Sequence, residues 1–382
     1  MTRRWEELNG EDHWKGLLDP LDIDLRRHIL HYGDMVQAMY DAFNSEKASE
    51  YEGCSRYASR NLFEKLGMST SQKPFPYKVT KYLYASSGLS LPPVFYVRSN
   101  WIGYVALATD DGKKLYGRRD IVIVWRGTLE TLEWVNNLNA NMVPANDIFV
   151  AGDFDGDVPY VHHGWLDIYT NRDPESRFNC TSSVRDQVLS EIGRLVQEYR
   201  EEVVSITIAG HSMGAAVATL NAVDILQNGY NMNFPVTAIL FGSPRVGDTK
   251  FFDIFNTFEK LRLLRIHNAG DIVPAYPFIN YSHVGDELGI NTKRSPYLKP
   301  TLCLVARHNL EGYLHGVAGH QGIHCGFKLE VDRDIALVNK KMDNLKEEYR
   351  VPAKWWVEKN KGMIRGDDGH WRLKDHEDEL PN

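Results

Sequence analysis

Between Leu25 and Met35, the side chains Leu25, His28, Ile29, Tyr32 and Met35 recur at three- to four-residue spacing, with Arg26, Arg27 and Asp34 between them. That period predicts an amphipathic helix, and residues 1–75 read as a helical N-terminal extension packed on the rest of the chain. The stretch 71–78, SQKPFPYK, carries two prolines and reads as a connector. From Lys78 onward the pattern changes. The continuous apolar run from Asp120 to Trp125 has the composition of a strand buried on both faces. Val184, Val188, Ile192, Leu195, Val196 and Tyr199 share one face of a helix predicted from Ser183 to Arg200. Val203–Ala209 is a second buried strand, followed by a small-residue helix from Met213 to about Gln227. Val236–Phe241, Leu261–His267 and Thr301–Val305 are predicted as further short strands. Strands separated by helices imply an α/β domain over 76–345, with a mostly parallel central sheet covered on both sides. Residues 346–382, with Trp355, Trp356 and Trp371 among many charges, read as a tail packed back on that domain.

Composition narrows the class. The 382 residues are 43% hydrophobic and 25% charged, which excludes disordered, collagen-like and coiled-coil chains. A net charge of -7 argues against nucleic acid as a partner, and against electrostatic adhesion to anionic membranes, though not against apolar insertion into a lipid surface. The four cysteines are scattered and form no CxxC pair, so they are expected as reduced, buried thiols rather than a zinc cage or disulfide framework. The first sixteen residues are rich in charge and no apolar run follows them, so no secretory signal is expected and the cytoplasm is the expected compartment. Val203–Val223 is 21 residues without a formal charge, but Gly210-His211-Ser212 and Gly214 divide it into strand, turn and helix rather than a membrane span.

Gly210-His211-Ser212-Met213-Gly214 fits GxSxG. Alone the pentapeptide is a weak signal. Between a β-branched strand and an alanine-rich helix it reads as a nucleophile elbow, which exposes a serine oxygen at a sharp turn and points a helix N-terminus at developing negative charge. Serine needs a base, and the base an orienting carboxylate. Asp271 follows the predicted strand ending at His267, where such a carboxylate belongs; the competing reading is a turn residue before Pro274. Five downstream histidines are candidates for the base: His283, His308, His315, His320 and His324. His308 is preferred because it follows a predicted strand and opens a helical segment; His315 lies about 10 Å further along by helical rise. An oxyanion hole needs two donors. The amide of Met213 is one, and Thr128, in the turn Arg126-Gly127-Thr128, offers its amide and hydroxyl as the second, unless that turn is merely polar. Residues of about 129–145, including Trp134, form an amphipathic segment that reads as a mobile lid or an ordinary surface helix. Asp153, Asp155 and Asp157 lack the spaced glutamate of a calcium loop, and His162-His163 lacks ligand partners at suitable spacing, so no metal is expected.

Taken together, GHSMG, the WRGT segment 125–128, Tyr160–Trp165, Phe241–Gly247 and Asp271 resemble the class 3 lipases. Trp14–Leu21, Tyr32–Asp34 through Tyr40–Phe43, His308-Asn-Leu-Glu and Tyr313–His315 narrow the resemblance to the plant cytosolic phospholipase A1 group, over nearly the whole chain. The resemblance implies an α/β-hydrolase fold and hydrolysis of the sn-1 acyl ester of phospholipids without a metal or other cofactor. It carries Ser212, Asp271 and His308 into the catalytic roles, Thr128 and Met213 into the oxyanion hole, and Trp134 to the start of the lid. Trp125 and Met213 depart mildly from the family pattern, and both are apolar. Galactolipid or triacylglycerol hydrolysis is the alternative within enzymes, and a catalytically silent lipase-like signalling scaffold is the alternative of another class. The expected partners are an acyl-lipid substrate and, transiently, a lipid surface.

Overall fold

The computed structural model describes residues 4–86, 100–128, 140–150, 158–300, 303–322, 325–357 and 362–379. Its centre is a seven-stranded sheet in the order β1-β2-β3-β6-β7-β8-β9. The strands are β1 (Tyr77–Ala85), β2 (Asn100–Ala108), β3 (Arg119–Trp125), β6 (Val204–His211), β7 (Val236–Phe241), β8 (Leu261–Asn268) and β9 (Asp286–Ile290), while β4 (Met142–Pro144) and β5 (Tyr160–His162) form a separate pair. β1, β2 and β3 pair antiparallel, and β3, β6, β7, β8 and β9 run parallel. The register places Trp125 beside Gly210, His211 beside Phe241 and Phe241 beside Ile266, so the carboxyl ends of the central strands lie nearly level.

Alternation along each strand splits the core in two. From β3, Ile121, Ile123 and Trp125 pack on one side with Trp165, Val188, Ile192 and Ala215. That side is covered by helices His163–Thr170, Val184–Glu198 and Met213–Gln227. Ser183 starts the second of these with a reciprocal cap to Asp186. Val122 and Val124 face the other side, with Leu25, Ile29, Met35 and Met39 from the helix α1 (Ile23–Ala42), whose first turn is capped by Asp22. Residues 204–227 are therefore strand, turn and helix, as the glycines predicted.

Several expectations need correction. The N-terminal extension is helical at Trp5–Leu8, Ile23–Ala42 and Leu62–Lys65, and largely irregular elsewhere, where Asn44, Ser55 and Tyr57 hold turns by hydrogen bonds instead of helical ladders. The strand expected at Thr301–Val305 is not formed in its described part: Leu304–His308 is a short helix. The sheet position after β8 is taken by β9, whose half-exposed edge carries Asp286 and Glu287 and lacks a β-branched run. The lid expected at 129–145 does not extend through Met142–Pro144, because these residues pair with Tyr160–His162; Trp134 and residues 129–139 lie outside the described residues, as do 153–157 and His324. Cys54 is buried as expected, but Cys180, Cys303 and Cys325 are exposed free thiols on loops or at a helix start rather than in the core. The tail folds onto the N-terminal segment: the Asp375 carboxylate accepts from Asn44 Nδ2 (2.8 Å) and Ser49 Oγ (3.0 Å).

Candidate active site

Thr128, Ser212 and Asp271 all lie just beyond the carboxyl ends of β3, β6 and β8, on one rim of the sheet. Ser212 sits between β6 and the helix Met213–Gln227 with φ 60° and ψ -131°, a conformation rarely held by a residue with a Cβ. The tight turn is made possible by close backbone approach. A Cβ on Gly210 would meet the Gly214 carbonyl at 2.6 Å, and a Cβ on Gly214 would meet the carbonyls of Trp125 and Arg126 at 2.6 Å. The strained serine stands at the head of a buried fifteen-residue helix, and the Met213 amide, the first of that helix, has no intrahelical acceptor.

Asp271 and His308 are brought together. His308 Nδ1 lies 2.6 Å from Asp271 Oδ2, both groups buried. Asp271 also accepts from Tyr313 Oη at 2.5 Å and from the Val273 amide at 3.0 Å. Burial would raise this carboxyl, but His308, through its charge and its hydrogen bond, followed by Tyr313 and the Val273 amide, holds it below the ordinary carboxylate range. An ionised Asp271 fixes the proton of the imidazole on Nδ1 and leaves Nε2 as the basic nitrogen.

Three buried side-chain atoms at this rim make no hydrogen bond among the described residues: Ser212 Oγ, His308 Nε2 and Thr128 Oγ1. The carboxylate–imidazole leg of the constellation is thus closed, and the imidazole–hydroxyl leg is open. Such legs are often long without substrate. Buried polar atoms are rarely left unsatisfied, and these three are the ones that a substrate carbonyl and a proton transfer would engage.

The other histidines have different partners. His315 Nε2 is 2.7 Å from Ser295 Oγ, and Arg245 Nε donates to His283 Nε2 at 3.2 Å. His162 accepts from the Gly164 amide at 3.1 Å and stacks on Trp165. Burial pushes both His315 and His162 down to about 4.

Sequence reasoning missed four supporting residues. Tyr313, Arg126 and Tyr40 stand within the motifs above, but nothing local marks them as supports. Asn268, at the end of β8, donates to the Arg307 carbonyl at 2.9 Å and steadies the residue before the base. Arg126 spreads over the Phe43 ring at 4.1 Å and donates to the Gly127 carbonyl at 2.7 Å, which fixes the turn containing Thr128. Tyr40, from α1, reaches both Gly127 and His211. No local signal separates Tyr40 from the other apolar positions of its helix.

A mostly parallel sheet carrying a strained serine elbow, with an Asp–His pair beyond later strands, defines an α/β-hydrolase. Residues 122–281 match the family described as lipase (class 3). Phospholipase A1-II 1 of Oryza sativa subsp. indica is 50% identical over 389 residues, covering 99% of this chain and 98% of its own. Phospholipase A1-IIgamma of Arabidopsis thaliana is 49% identical over 395 residues, covering 98% and 93%. Among solved structures, the Lip2 lipase of Yarrowia lipolytica is 17% identical, with 81% of this chain and 97% of that one covered and a TM-score of 0.49. The chain belongs to the class 3 lipases and, within them, to the phospholipase A1-II proteins.

Proposed function

We propose that this chain is a serine acylhydrolase that cleaves the sn-1 acyl ester of phospholipids, releasing a fatty acid and a lysophospholipid. The observation that carries the reading is the convergence of the Asp271–His308 pair, the strained Ser212 and the open valences of Ser212 Oγ, His308 Nε2 and Thr128 Oγ1 on one rim. The names of the rice and Arabidopsis relatives support the substrate class.

His308 Nε2 takes the hydroxyl proton as Ser212 Oγ attacks the ester carbonyl. The amides of Thr128 and Met213, with the Thr128 hydroxyl, receive the negative charge on the carbonyl oxygen. The tetrahedral carbon collapses, the ester C–O bond breaks, and the imidazolium returns its proton to the leaving lysophospholipid oxygen. Water then gives its proton to Nε2 and its oxygen to the acyl carbon, and the fatty acid leaves as Ser212 recovers the proton.

Transient contact with a lipid surface is part of this reading. Phe278 and Ile279, in the turn beyond Asp271, are 67% and 75% exposed. Arg245 holds that turn by donating to the carbonyls of Pro277 (3.1 Å) and Phe278 (3.3 Å). Residence in the cytoplasm is likewise proposed, and the exposed free thiols of Cys180, Cys303 and Cys325 suit a reducing compartment.

The test is to incubate the protein with vesicles of phosphatidylcholine bearing different chains at sn-1 and sn-2 and identify the released acid. Release of the sn-1 chain is expected. Release of the sn-2 chain alone overturns the positional assignment, and no release with any acyl lipid overturns the activity.

A further inference from the structure

We infer that Tyr40 and His211 form a positioning strut that sets the oxyanion turn, the serine elbow and the catalytic imidazole in one geometry; this rests on the triad reading above. The chain of contacts is continuous. The Gly127 amide lies 3.0 Å from Tyr40 Oη, Tyr40 Oη lies 2.7 Å from His211 Nδ1, and His211 Nε2 lies 2.8 Å from the His308 carbonyl.

The direction of every proton is fixed by chemistry. A carbonyl only accepts, so His211 Nε2 carries the hydrogen and donates to His308. Burial and the neighbouring His308 push the His211 ring down to about 3, so it is neutral and Nδ1 is a bare acceptor. The Tyr40 hydroxyl therefore donates to Nδ1, and its oxygen is left to accept from Gly127. Both ring nitrogens of His211 are occupied, which also removes it as a competing base beside Ser212.

Each end of the strut is attached to a reacting group. Gly127 precedes Thr128, and a Cβ placed on Gly127 would lie 2.6 Å from Tyr40 Oη and 2.8 Å from Ser212 Cβ, so only glycine lets hydroxyl, turn and nucleophile close together. His211 is bonded directly to Ser212, and its ring centroid lies 4.7 Å from that of His308. Tyr40 arrives on α1, and that helix end is tied down: Lys340 pairs with Asp41, and Lys341 donates to the Tyr40 carbonyl. The N-terminal segment thus contributes a working part of the site as well as cover for the sheet.

The test compares Tyr40→Phe with Met35→Ala, a buried position of the same helix outside the strut. Both are assayed on phospholipid vesicles for kcat and KM, by the rate of phosphonate labelling at Ser212, and for Tm. Tyr40→Phe is expected to lower kcat and the labelling rate together by roughly 10- to 100-fold, with KM unchanged, because small displacements of reacting groups have effects of that size. Met35→Ala is expected to lower Tm and leave kcat per labelled site unchanged. Wild-type kcat in Tyr40→Phe overturns the strut, as does an equal loss of kcat per labelled site in Met35→Ala. Should Tyr40→Phe fail to fold, His211→Gln carries the same expectation. Failure of the triad reading is distinguishable, since it would appear as activity retained by Ser212→Ala.

Discussion

The two ends of β3 and β6 carry two buried polar clusters built from similar parts. At the amino ends, the Asp120 carboxylate accepts from four hydroxyls: Tyr32 at 2.7 Å, Tyr77 at 2.8 Å, Ser205 at 2.8 Å and Thr207 at 2.8 Å. Arg118 supplies the opposite charge at 3.7 Å. Burial opposes ionisation there too, but Arg118 and the hydroxyls of Tyr32, Thr207 and Ser205 hold the Asp120 carboxyl below its ordinary value. At the carboxyl ends, Asp271 is also buried and bonded to His308, Tyr313 and the Val273 amide, yet its neighbours Ser212, His308 and Thr128 each leave one atom open. A filled network locks the strands together. The open atoms of Ser212, His308 and Thr128 are those that a reacting ester and its proton transfer would fill.

This contrast is broken most severely by Ser212→Ala, for which turnover should fall by about six orders of magnitude while Tm is retained. Ser212→Gly, which also relaxes the positive φ, should be inactive and about 1 kcal/mol more stable in urea titrations. Asp271→Asn is next: loss of the correct tautomer should reduce kcat about 10⁴-fold, read from initial rates, with little change in the denaturation midpoint. Asp120→Ala should do the reverse. It strands a buried guanidinium, so stability should drop by about 3–5 kcal/mol, while phosphonate titration and assay give unchanged turnover per folded molecule.

The smallest effect is a pH dependence of stability. His162, His315 and His211 are buried, with pKa values pushed to about 4, 4 and 3 by burial, against 6.5 for an ordinary ring. The unfolded chain therefore binds protons between pH 6.5 and 4 that the native chain refuses. Stability is full above 6.5 and falls as the pH drops toward 4. His315→Gln should flatten that slope by about 1 kcal/mol per pH unit in urea titrations, and an unchanged slope would deny the ring its buried, neutral state.

The serine elbow was legible because its requirements are local: a β-branched strand, two glycines and a helix of small residues within twenty positions. Asp271 was legible for the same reason, as an acidic residue just past a strand. The sequence pattern before His308 suggests a strand that its described part does not form. The apolar segment ending at Val305 resembled a strand, yet Leu304–His308 is helical and its neighbour β9 fills the sheet. His308 still meets Asp271, because a histidine that pairs with that carboxylate only has to follow the last strands, whichever segments form them. β9 escaped notice since an edge strand with one face in solvent needs no run of β-branched side chains.

Periodicity along the chain determined the α/β class and the central strand–helix alternation, and a glycine-flanked motif determined the serine elbow, because each depends on contacts among near neighbours. Tertiary structure alone decided that Asp120 is an anchor bonded by four hydroxyls, that Tyr313 and the Val273 amide support Asp271, and that a tyrosine at position 40 reaches an imidazole at position 211. Those outcomes depend on which buried donors and acceptors find partners across the fold, and a hydrogen bond between residues 171 positions apart leaves no trace in the local pattern.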